Sequence, residues 1–151
     1  MHRACDDVAR SIDELGLTSE LVALAADEAK ALYAAIERRF SSPQQARWIW
    51  EHFRVPGTAR RFADDRAYER LKLFVPQAAE QLLFFPGSDE DVKAVYRGGI
   101  EAIVAVLGDS TSYEYLIAPP ALDWLVCENH HGVVVAIGEP VETRLRSLTD
   151  E

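Results

Sequence analysis

Cys127-Glu128-Asn129-His130-His131-Gly132 is the most polar and chemically capable stretch of this 151-residue chain. Thiolate, carboxylate and imidazole are all good zinc ligands. However, adjacent residues on an extended strand point to opposite faces, and the other histidines, His2 and His52, stand in unrelated parts of the sequence. No metal is therefore expected. A cysteine with a histidine can form a nucleophile, yet Cys127 ends an apolar run, where burial raises a thiol pKa and makes the group inert. Glu128 with His130 or His131 has the groups for acid–base chemistry, but no phosphate loop accompanies them. Two readings remain for the tip itself. Glu128, Asn129, His130 and His131, with Glu114 and Tyr115 of the neighbouring strand, form a polar edge able to grip a protein or a small ligand; or the Asn and His side chains simply hold a turn by bonding to backbone.

Three apolar runs position that tip. Tyr113 to Ala118 is strand-like and is stopped by Pro119-Pro120. Leu122 to Cys127 and Val133 to Ile137 are short, rich in β-formers and bounded by Pro, Gly or Asn. The last two are apolar on both faces, which predicts central strands with a helical layer over them. The link between them has the length and the Asn and Gly of a hairpin loop.

Earlier in the chain the pattern is helical. Val8, Ile12 and Leu15 share a face in Asp6 to Leu15. A second helix is expected from Thr18 or Ser19 to Arg39, with Leu21, Leu24, Leu32 and Ile36 in its apolar stripe, so that the two form an αα-hairpin. A third runs from Pro43 through Trp48 and Trp50 to Val55. The arginine-rich Thr58 to Arg66 reads as a loop, and Tyr68 to Val75 as a short helix. Leu82 to Phe85 and Val92 to Tyr96 then pair as a hairpin, a helix begins at Gly99 and stops at Gly108, and Val141 to Leu148 closes the chain as a helix. The expected fold is a single α+β domain over residues 1–151, mainly helical through residue 75. A mostly antiparallel five-stranded sheet, ordered β-β-α-β-β-β-α, follows over residues 82–148 and is covered by helices.

Composition narrows the function classes. Hydrophobic residues make up 48% and charged residues 27%, which is ordinary for a globular domain of this length. The net charge of -9, from 25 acidic and 16 basic residues, argues against nucleic acid as a direct ligand and permits a basic protein partner. Cys5 and Cys127 show no metal or redox spacing. The first residues lack the apolar core of a signal peptide and no run approaches a membrane span, so a bacterial-type cytoplasmic location is expected.

Trp48-Ile49-Trp50, VYRGGIEAI at Val95 to Ile103 and YEYLIAPPALDWLVCENHHGVVVAIGEP at Tyr113 to Pro140 resemble a family of uncharacterised bacterial cytosolic domains. Its hallmark is an aromatic EYY-type strand followed by DWLLCENHH. Leu116 stands here for the second tyrosine, and Gly132 for an aspartate that often follows the histidine pair. The resemblance implies no established activity. More loosely, helices followed by a small sheet in an acidic protein are similar to immunity proteins of the SMI1/KNR4-like type, which bind and block toxins. The combined reading is a small cytoplasmic binding domain, immunity-like, that neutralises a basic toxin by direct contact and without a cofactor. The alternatives are a small hydrolase or transferase using Glu128 with His130 or His131, and self-association through a sheet edge or the Trp48-Trp50 helix.

Overall fold

The structure is a computed structural model that describes residues 4–40, 57–64, 66–76, 81–86, 94–110, 114–129 and 132–148. The helix expected over Pro43 to Val55, with Trp48, Trp50 and His52, lies outside the described residues, as do His130 and His131.

Among the described residues the chain runs α1 (Ala4–Glu14), β1 (Leu21–Ala23), α2 (Ala26–Phe40), β2 (Thr58–Arg61), a 3-10 turn (Ala67–Arg70), α3 (Leu71–Phe74), β3 (Leu82–Pro86), β4 (Tyr96–Gly98), α4 (Ile100–Asp109), β5 (Tyr115–Ala118), β6 (Leu125–Glu128), β7 (Val133–Ile137) and α5 (Val141–Ser147). One sheet of seven strands, in the order β1-β4-β3-β5-β6-β7-β2, joins them. Every pairing is antiparallel.

The sheet therefore has seven strands where five were expected, and both additions are its outermost members. Leu21–Ala23 was expected inside a helix, since Leu21 and Leu24 fit a helical stripe. Instead a tight turn, in which Leu17 O accepts from both Glu20 N–H and Leu21 N–H, swings the chain onto β4. Gly98 makes this approach feasible, because a Cβ there would collide with Glu20 O and the Leu21 side chain. The second addition, Thr58–Arg61, was expected to be a loop because arginine dominates it. Its burial alternates, with Thr58 and Arg60 turned partly inward and Ala59 and Arg61 outward, and it pairs along its whole length with β7. An edge strand needs only one buried face, so charged residues are compatible with it.

Smaller corrections have local causes. Leu122 N–H donates to Pro119 O at 2.9 Å, with Leu122 at a φ of 56°, so this turn delays the start of β6 to Leu125. Helix α4 runs through Gly108 to Asp109. Strand β4 begins at Tyr96, where the expected strand ended.

Strand alternation divides the core in two. Phe84, Tyr115, Ile117, Val126, Val134 and Ala136 face the layer formed by α1, α3, α4 and α5. Leu83, Phe85, Leu116, Leu125, Cys127 and Ile137 face α2. Helices α1 and α2 are thus not an αα-hairpin: β1 carries the chain between them from one face of the sheet to the other. The central strands are dry on both sides, with Leu116, Ile117, Leu125, Val126 and Cys127 all at 0% exposure. Burial of this kind supplies most of the folding drive, about 1.5–3 kcal/mol for each large side chain.

Candidate functional site

At one end of the sheet the dry interior gives way to polar side chains. Register places Tyr115 opposite Glu128, and Glu128 opposite Val134, which in turn faces Arg60. The Tyr115 hydroxyl donates to Glu128 Oε1 at 2.9 Å. Tyr115 is itself 2% exposed and packs its ring at 6.1 Å from that of Phe84, so the phenol is held in place by the core. Glu128 is half-buried.

Asn129 is committed to the hairpin between β6 and β7. Its side-chain oxygen accepts from Val133 N–H at 3.2 Å, its own N–H donates to Val133 O, and its carbonyl accepts from Gly132 N–H. Asn is suited to this role because its short amide mimics a backbone group. Of the three contacts, one is made by the Asn129 side chain and two by its backbone; the histidines expected to share this role lie outside the described residues.

Glu114, just before β5, is 7% exposed, and its charge acts on Cys127. Complete burial pushes the Cys127 thiol up to about 12, with the nearby Glu114 and Glu128 carboxylates adding to the shift and a backbone hydrogen bond from Val135 opposing it. A thiol so placed is neutral at neutral pH and is a poor nucleophile. Of the candidate residues, then, the fold joins Tyr115 to Glu128, buries Glu114 where its charge reaches Cys127 and uses Asn129 in the turn.

Of the arginines in the 58–66 stretch, Arg60 turns partly inward to the protein itself, while Arg61 and Arg66 are exposed. Arg60 donates to the carbonyls of Leu145 and Leu148 at the end of α5, where a cation also complements the helix dipole. Its guanidinium lies 5.0 Å from the Phe62 ring, and Arg70 lies 4.5 Å from the same ring. Arg70 also grips Asp64 with both terminal nitrogens, at 2.9 and 3.0 Å. Its hydrogen bonds lead the causes that hold the Asp64 carboxyl below the usual range. Arg60 shares the row of Tyr115 and Glu128 although 55 residues separate it from Tyr115 in sequence. The residues Thr58-Ala59-Arg60-Arg61 show no alternation in sequence; only their burial, with β7 beside them, alternates.

Among the described residues no three His, Cys, Asp or Glu side chains gather as a metal site. No helix among them is long and apolar enough to cross a membrane.

An antiparallel sheet covered on both faces, with a core-anchored tyrosine–carboxylate pair beside a closed hairpin, defines a small α+β domain with a polar sheet end. The chain belongs to the family of unknown function DUF6756, whose model matches residues 5–149. That match accords with the resemblance to an uncharacterised family, and it carries no link to SMI1/KNR4-like immunity proteins. No curated protein matches the chain. No solved structure matches it either.

Proposed function

We propose that the protein is a binding domain that contacts a protein partner through the β6–β7 hairpin end, with toxin neutralisation as its specific form. The observation that carries this reading is the hydrogen bond from Tyr115 to Glu128. A phenol fixed by the core presents a half-buried carboxylate in one orientation, and a preorganised acceptor of this kind loses little entropy when a partner docks. The charge of -9 favours a basic partner. A cytoplasmic bacterial setting completes the proposal.

The test is affinity capture from the source cell, comparing wild type with Glu128→Gln and with the double change His130→Ala, His131→Ala. A partner held by the wild type and lost from both folded variants supports the reading. Equal capture by all three forms overturns it. So does a substrate whose turnover collapses in Glu128→Gln while its binding persists, since that result makes the protein an enzyme using Glu128.

A further inference from the structure

We propose that the outer edge of β1 is a second docking site, accepting an extended basic segment of a partner protein as an eighth strand. It stands on observations separate from the hairpin end. The bond from Leu24 N–H to Val95 O, combined with the β1–β4 register, makes Leu24 and Val22 the residues that exchange backbone bonds with β4. The N–H and C=O of Ala23 therefore point away from the sheet, where no further strand lies among the described residues. Such groups form a template for strand addition.

The two edges of the sheet are protected very differently. Strand β2 carries Arg60 and Arg61 within the strand, the usual defence against unwanted pairing. Leu21 to Ala26 contains no charge and no proline, and Val22, Ala23, Ala25 and Ala26 are exposed. Val22, at 41%, is among the most exposed large apolar residues described. At three residues, β1 is short, so backbone bonds alone would hold a partner weakly and flanking side chains must contribute.

Those flanks are acidic. Glu20 stands at one end, Asp27 and Glu28 at the other, all exposed, with Arg97 opposite Val22 and Lys30 one turn into α2 as the nearby described cations in sequence and register. A basic strand would meet opposite charge at both ends. A second copy of this chain would not: antiparallel pairing centred on Ala23 brings the Glu20 end of one copy toward the Asp27–Glu28 end of the other, where like charges repel.

The probe is a nine-residue peptide of alternating lysine and valine, compared with its glutamate–valine counterpart by amide NMR of the full chain. The lysine peptide is expected to shift the amides of Val22, Ala23 and Leu24 and to slow exchange at Ala23. Ala23→Pro removes the outward donor and leaves the Val22 and Leu24 bonds to β4 in place, so affinity should fall about tenfold with the fold retained. Glu20→Lys with Asp27→Lys should transfer preference to the glutamate peptide, an independent arm should the proline variant not fold.

Unchanged affinity in a folded Ala23→Pro overturns the proposal, as does a response centred on Glu128 to Val133. A peptide-free dimer in sedimentation that Ala23→Pro abolishes also overturns it, because the occupant is then a second copy. Failure at β1 leaves the hairpin-end reading intact, and the reverse holds equally.

Discussion

The two ends of the β6–β7–β2 part of the sheet are closed by different means. At the end where β7 leaves for α5, the backbone itself is constrained: Gly138 has a φ of +91° and sits so close to β6 that a Cβ would lie 2.7 Å from Asp123 O. Glu142 reaches back from the first turn of α5 to accept from Gly138 N–H at 2.7 Å and from the Thr58 hydroxyl at 3.0 Å, while Arg146 donates to Thr58 at 2.7 Å. At the opposite end the connection is a four-residue link closed by Asn129, with Tyr115 and Glu128 beside it. One end is locked by shape and by contacts between distant segments; at the other the hairpin is closed by its own residues and leaves a carboxylate near solvent. The structural clamp and the end proposed for recognition are therefore separated along the same three strands, and substitutions should reveal the separation.

Gly138→Ala should have the largest effect. It combines a conformation that L side chains rarely adopt with a backbone collision, and on the order of 3 kcal/mol of stability should be lost in urea denaturation. A loss below about 1 kcal/mol would mean that this end yields and the contrast is weaker than its geometry suggests. Glu142→Ala comes next, at about 1–2 kcal/mol, because it leaves Gly138 N–H and the Thr58 hydroxyl without their shared acceptor. The same substitution should leave partner capture by the hairpin end unchanged.

Cys127 marks where the dry part of β6 ends, one residue before Glu128. Its folded pKa is raised from 9.0 to about 12. Between those values the unfolded chain releases a proton that the folded one keeps, so the thiol's stabilising contribution is complete below about pH 9 and is lost as pH rises toward about 12. The expected slope is on the order of 1 kcal/mol per pH unit, measured against Cys127→Ala, which lacks it. At neutral pH a thiol reagent should modify Cys127 only as fast as the protein unfolds.

Much of this sheet was legible in the sequence, and the exceptions are physically specific. The apolar runs at Leu82–Phe85 and Val133–Ile137, bounded by proline, glycine or asparagine, became strands as expected, and the order β-β-α-β-β-β-α is the order of β3 through α5. The edge strands were hidden for opposite reasons. Leu21–Ala23 merges into an alanine-rich segment that also suits a helix, and only contact with Gly98 and β4 decides between them. Thr58–Arg61 is too polar to announce a strand until β7 is known to lie beside it. For the candidate residues, a hairpin and its neighbouring strand were enough to bring Tyr115 near Glu128. The commitment of Glu142 to Thr58 spans 84 residues and has no local signal.

Tyr115→Phe gives the smallest change in stability and separates the two ends most sharply. The ring stays against Phe84 and only the hydroxyl is lost, while Glu128, half-buried at the sheet's end, remains within reach of water. Removing a hydrogen bond to a carboxylate that water can replace should cost below about 1 kcal/mol. The orientation of Glu128 is what should change: without the phenol its carboxylate samples more rotamers, so partner affinity should fall by several-fold, about as much as one ordered side chain contributes to binding. Thermal denaturation together with titration of the captured partner checks both. A stability loss like that of Gly138→Ala, with affinity unchanged, would make the Tyr115–Glu128 pair another structural clamp and erase the distinction between the two ends.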